Sequence, residues 1–78
     1  MEFRPLSIEG AWEITPRQFP DSRGMFAEGF RADKLAEHIG HPMQVLQTNI
    51  SVSTAGAVRG IHYASVPPSQ AKYVTALS

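Results

Sequence analysis

Hydrophobic and polar positions alternate most cleanly from Gln44 to Val52, where Leu46, Thr48, Ile50 and Val52 share one parity and Val45, Gln47, Asn49 and Ser51 the other. A period of two belongs to a half-buried β-strand, so the first set is predicted to face a core. The second set carries the uncharged amides Gln47 and Asn49. It faces solvent or lines a wet cavity, where amides suit hydrogen bonding to sugar hydroxyls.

Downstream, Ser53 to Gly56 is predicted to turn, and two β-patterned runs follow, Val58 to Ala64 and Gln70 to Leu77, separated by the Pro-Pro loop Ser65 to Ser69. If the runs form a hairpin, Ala64 faces Gln70 and His62 lies opposite Lys72, with Cβ atoms roughly 4.5 to 5.5 Å apart.

Upstream the breakers Gly10, Pro16 and Pro20 leave an extended entry with one short strand around Ala11 to Thr15, Trp12 serving as a core anchor. Asp21-Ser22-Arg23-Gly24 is a turn signal. Met25 to Phe30 then reads as an edge strand presenting Arg23, Phe26 and Glu28 in one direction. One helix is predicted, Ala32 to Ile39, with Leu35 and Ile39 on one face, Gly40 as its left-handed stop and Pro42 preventing resumption. Strands therefore dominate, and the pattern predicts an all-β sandwich or jelly roll with one short helix. Residues 1–78 read as a single domain without an internal boundary.

Composition narrows the class. Seven basic and seven acidic residues cancel, which argues against nucleic-acid or membrane binding through bulk charge. There is no cysteine, so no disulfide framework or thiolate metal site, and a reducing, cytoplasmic setting is allowed. Neither a signal-peptide pattern nor an apolar run of about 20 residues is present, so a soluble, non-exported protein is expected. A hydrophobic fraction of 42% favours a folded chain.

The candidate chemistry follows from the residue types. An ammonium facing His62 favours the neutral imidazole, the form a general base needs. The same ammonium stabilises an oxyanion developing on a substrate carbonyl, and the pair suits proton abstraction beside a ketone. The competing reading makes His62 a sheet histidine and Lys72 a solubilising edge residue. Strict alternation puts Arg59 and His62 on opposite faces, so both reach one site only through a bulge or bend at Gly60. Arg23, Phe26 and Glu28 together suit a nucleotide base and phosphate, or are incidental residues of an exposed strand. His38 and His41 have no third ligand at a recognised spacing, and no metal site is expected there.

The segments DSRG-M-F-A-E, Q-T-N-I-S-V-S, VRGIHY and PPSQAKYV stand in this order, and together they resemble the N-terminal part of the dTDP-4-dehydrorhamnose 3,5-epimerases. The resemblance runs from about Leu6 onward. It implies a cupin-type jelly roll, an obligate homodimer, and an enzyme that inverts C3 and C5 of dTDP-4-dehydro-6-deoxy-D-glucose without metal or organic cofactor. By resemblance, His62 matches the catalytic base and Lys72 the stabiliser of the C4 enolate. Arg59 matches a diphosphate contact, Gln47 and Asn49 substrate-pocket residues, and Arg23, Phe26 and Glu28 residues donated across the dimer to the nucleotide end. Members of that family are much longer, so the chain is expected to be a truncated piece. The tyrosine acid and the aspartate that orients the histidine would then lie beyond Ser78, since neither Tyr63 nor Tyr73 matches that tyrosine. Alternatives left open are an enzyme inverting only C3 or only C5, a non-catalytic β-sandwich module that binds a sugar nucleotide or dimerises, and a metal-dependent cupin.

Overall fold

The computed structural model describes residues 1–77. Four strands and one helix follow one another as β1 (Glu2–Pro5), β2 (Trp12–Thr15), β3 (Gln18–Asp21), β4 (Gly24–Ala27) and α1 (Ala32–Ile39). The β-rich class with a single short helix is the one the pattern predicts. The chain divides into two compact units, Met1–Met43, which holds every one of these elements, and Gln44–Ser78.

In the first unit β1 and β2 pair antiparallel, with Phe3 opposite Ile14, Arg4 opposite Glu13 and Pro5 opposite Trp12. Alternation then sorts the side chains by face. Phe3, Trp12 and Ile14 are half-buried, whereas Arg4 and Glu13 stay in solvent and pair there at 2.8 Å. The apolar side meets α1 through His38, whose ring stacks on Phe3 at 3.9 Å and meets the edge of Trp12 at 5.8 Å between centroids. Trp12 is thus an anchor at a half-covered surface rather than inside a core. Leu35, at 5% exposure, is the one buried hydrophobic residue among those described.

The strands β3 and β4 form a second antiparallel pair around Ser22 and Arg23, with Phe19 opposite Phe26 and Asp21 opposite Gly24. Asp21 Oδ1 accepts the Arg23 backbone N–H at 2.8 Å, and Gly24 takes φ 138°, so the DSRG segment turns as its residue types dictate. Two predictions are corrected here. Met1 to Pro20 contains β1 and all but the last residue of β3 in addition to β2, because Pro5 and Pro20 sit in two-stranded sheets, where every strand is an edge and a missing N–H is tolerated. The strand predicted over Met25 to Phe30 ends at Ala27.

Helix α1 has the predicted bounds. Gly40, at φ 85°, donates its N–H to Ala36 O at 2.9 Å and closes the last turn in the left-handed conformation. Asp33 lies in the first turn and His38 in the last, each favourable to the helix dipole.

The second unit differs from expectation. Among the described residues no strand forms from Gln44 to Val52, nor over Val58 to Ala64 or Gln70 to Leu77, so the predicted hairpin and its His62–Lys72 register are absent. The two predicted turns are present: Ala57 N–H donates to Thr54 O at 3.1 Å and Ser69 N–H to Ser65 O at 2.7 Å. A strand exists only as one side of a ladder, and no described segment offers these runs its backbone groups. Their apolar residues accordingly stay exposed, Ile50 at 93% and Ile61 at 96%. No helix among the described residues is long and apolar enough to cross a membrane.

Candidate active site

Within the first unit the candidate residues are Arg23, Phe26 and Glu28, and each is positioned differently. Arg23 sits in the β3–β4 turn rather than on a strand. Its Nη2 donates to Asp21 Oδ2 at 2.8 Å while its backbone N–H holds the other oxygen, so one carboxylate grips the residue at both ends. The Arg23 guanidinium, followed by its backbone N–H, keeps the Asp21 carboxyl below its ordinary range. At 88% exposure the guanidinium remains open to an anion.

Phe26 lies on β4 beside Phe19, the two ring centroids 6.4 Å apart, and both rings are exposed. Arg17 extends over the Phe19 ring at 5.0 Å, a cation–π distance. Glu28 falls just past β4, and its carboxylate accepts from Arg31 Nη1 at 3.2 and 3.4 Å. Together with Met1, Arg17 and Phe19 it lines a shallow cleft of about 130 Å³. Arg23, Phe26 and Glu28 therefore do not share one strand face as the alternation suggests; a turn, a strand and a post-strand position carry them.

In the second unit Gln47 Nε2 donates to Asn49 Oδ1 at 3.1 Å, so the two amides meet on one side of the chain as their parity predicts. Arg59 folds back across the Thr54–Ala57 turn. Its Nε donates to Ser53 Oγ at 2.7 Å and its Nη2 to Val52 O at 3.0 Å, and neither bond engages Nη1. His62 and Lys72 are exposed, and no hydrogen bond joins them among the described residues. Tyr73, next to Lys72, is half-buried, and burial pushes its phenol above the ordinary tyrosine range, which favours the neutral form. Tyr63, by contrast, is 92% exposed.

Asp21, Arg31, Asp33, Arg17 and Phe19 join the candidates only through the structure. The short spacings Asp21-Ser22-Arg23 and Arg31-Ala32-Asp33 are the signal the sequence holds for Asp21, Arg31 and Asp33, since residues two apart around a turn or helix start bring a carboxylate and a guanidinium together. Among the described residues no group of three or more His, Asp or Glu gathers in ligand geometry.

Comparison with known proteins gives these residues a context. The family profile described as dTDP-4-dehydrorhamnose 3,5-epimerase matches residues 5–78. A dTDP-4-dehydrorhamnose 3-epimerase of Streptomyces niveus is 57% identical over 75 residues, which are 96% of this chain and 36% of that protein. A dTDP-4-dehydrorhamnose 3,5-epimerase of Mycolicibacterium smegmatis is 56% identical over 75 residues, 96% of this chain and 37% of that protein. Among solved structures, NovW, a 4-keto-6-deoxy sugar epimerase from the novobiocin biosynthetic gene cluster of Streptomyces spheroides, aligns with a TM-score of 0.83 at 54% identity, covering 87% of this chain and 34% of its own. That coverage exceeds what Met1–Met43 can supply, so the likeness continues into the second unit and supports the cupin-type class. The chain spans little more than a third of the length of the curated relatives it matches. With the profile covering nearly every residue, from 5 to 78, this chain belongs to the dTDP-4-dehydrorhamnose 3,5-epimerase family.

Proposed function

We propose that the protein to which these residues belong is a cofactor-independent sugar-nucleotide isomerase that epimerises dTDP-4-dehydro-6-deoxy-D-glucose at C3 and C5 in deoxysugar synthesis. The observation that carries this reading is the family match over residues 5–78, a stretch that includes both His62 and Lys72. The C4 ketone acidifies the two flanking carbons. His62 takes the proton from C3 or C5 as its C–H bond breaks, the electron pair moves to the C4 oxygen, and the Lys72 ammonium stabilises the resulting enolate. A proton returned to the opposite face completes inversion, from an acid that is neither Tyr63 nor Tyr73.

Arg59 pairs with the diphosphate through Nη1, the guanidinium nitrogen that neither Val52 nor Ser53 engages. Gln47 and Asn49, already joined, present an acceptor and donors to sugar hydroxyls. Arg23, Phe26 and Glu28 serve the nucleotide end, by charge, stacking and hydrogen bonding respectively. The chain is one part of a single jelly-roll domain without an internal boundary, and the whole protein is a cytoplasmic homodimer. Inversion at C3 alone is a second reading, favoured by the 57% identity to a relative named as a 3-epimerase.

Incubation with the keto-sugar nucleotide in D₂O, with label read by NMR, tests the proposal. Deuterium at C3 and C5, abolished by His62→Ala, is expected. Label at C3 only would establish the second reading. Substrate binding without exchange, unchanged by His62→Ala, would replace both with a non-catalytic binding module.

A further inference from the structure

Glu28 is held by a network that begins on α1, and the role of that network in binding rests on the reading of Glu28 as a nucleotide contact. Arg31 is the residue preceding α1, and its guanidinium is divided between two carboxylates. Nε donates to Asp33 Oδ1 at 3.0 Å and Nη2 to Asp33 Oδ2 at 2.7 Å, a two-point fork. The remaining nitrogen, Nη1, meets both Glu28 oxygens at 3.2 and 3.4 Å. Asp33 is fixed in turn, because its Oδ1 also accepts the Lys34 backbone N–H at 2.9 Å in the first turn of the helix. Arg31 itself uses its carbonyl to accept the Leu35 N–H at 3.0 Å.

The chain of contacts thus runs from the helix backbone through Asp33 and Arg31 to the carboxylate of Glu28. A bidentate guanidinium–carboxylate pair has a preferred plane, whereas a single long side chain in solvent does not. Glu28 needs that support. It follows β4 rather than lying in it, so no ladder fixes its backbone, and it lines the cleft together with Met1, Arg17 and Phe19. A bare carboxylate there would also repel a nucleoside diphosphate approaching the same face.

We propose that Arg31 is a positioning residue for nucleotide binding: anchored on Asp33, it fixes the Glu28 carboxylate at the cleft and offsets its charge toward an incoming nucleoside diphosphate. Arg31 touches no substrate in this arrangement and acts through Glu28. The Arg31 hydrogen bonds hold the Asp33 carboxyl below its ordinary range.

The test is the affinity for thymidine diphosphate, by calorimetry at low salt, in the unsubstituted protein and in Arg31→Ala, Arg31→Lys, Glu28→Gln and the Arg31→Ala/Glu28→Gln double variant, with helix content followed by circular dichroism. Arg31→Ala is expected to weaken binding about three- to tenfold, the range of an exposed but networked ion pair. Arg31→Lys should recover part of that loss, and Arg31→Ala should have no further effect once Glu28 is Gln. The loss should shrink at high salt while helix content holds. Equal losses from Arg31→Ala in both backgrounds, or a loss that tracks falling helix content, would overturn the proposal. If Glu28→Gln leaves affinity unchanged, or the unsubstituted protein does not bind, the nucleotide reading of Glu28 fails and the role of Arg31 falls with it.

Discussion

Met1–Met43, whose pattern is interrupted by Gly10, Pro16 and Pro20, and the residues from Gln44 to Leu77, which hold the most regular alternation, have opposite outcomes. In the first unit four strands find partners within twenty residues, and α1 lays His38 against Phe3 and Trp12. In the second, the cleanest alternation of the whole chain forms no ladder, and its apolar residues stay in solvent. Period-two patterning therefore records which faces a strand would bury, not whether a partner is at hand. The residues proposed to carry the proton chemistry, His62 and Lys72, lie in the unit that forms no ladder among the described residues.

The contrast is tested most severely at His62. His62→Ala is expected to lower deuterium exchange at the substrate carbons by about 10²- to 10⁴-fold, the range of a general base, while amide protection along β1 to β4 is unchanged. Loss of that protection along with the exchange would mean that chemistry and local order cannot be separated. In the first unit the corresponding test is Leu35→Ala, expected to cost about 2 to 4 kcal/mol in denaturant unfolding followed through the helix signal. A cost near zero would show that the unit is not held together at its one buried residue.

A smaller effect is expected at Gly40, whose φ of 85° admits a side chain only with strain, although a Cβ there would meet nothing within 4 Å. Gly40→Ala should destabilise α1 by about 1 kcal/mol, seen as fraying of its last turn. The smallest effect is acid-linked. Glu13, Asp21 and Asp33 are each held below the ordinary carboxylate range, first by a guanidinium hydrogen bond from Arg4, Arg23 and Arg31 respectively. A depressed folded pKa contributes stability that is present above the unfolded value of about 4 and is lost as pH falls through the folded one. Because these pairs are exposed, acidification should open the β3–β4 turn and the Arg31 contacts only modestly. Chemical-shift titration of the Asp21 and Asp33 carboxyls checks both the sign and the window.

What is legible in the sequence is what depends on neighbours a few residues away. The helix can be read to its bounds because Leu35, Ile39, Gly40 and Pro42 are all local signals, and the DSRG turn because Asp21 needs only the N–H two residues on. The strand β3 escapes a sequence reading because Pro20 counts as a breaker, a penalty that applies inside a sheet and not at an edge. The hairpin over Val58 to Leu77 rests on alternation, which carries no information about the partner. The candidate residues are legible as motifs in order rather than as geometry. The Arg31–Asp33 pair has its two-residue spacing as a signal, but the further contact of Arg31 with Glu28 is not legible, because charges near a helix start read as a solvated face.

Residue-by-residue amide hydrogen exchange by NMR on this 78-residue chain tests the contrast between the two units most directly. Slow exchange is expected along β1 to β4 and through the last turn of α1, with rates close to those of an unstructured peptide over residues 58–64 and 70–77. Protection in those two runs equal to that of α1 would contradict the account, because His62 and Lys72 would then stand on a ladder of the chain's own making.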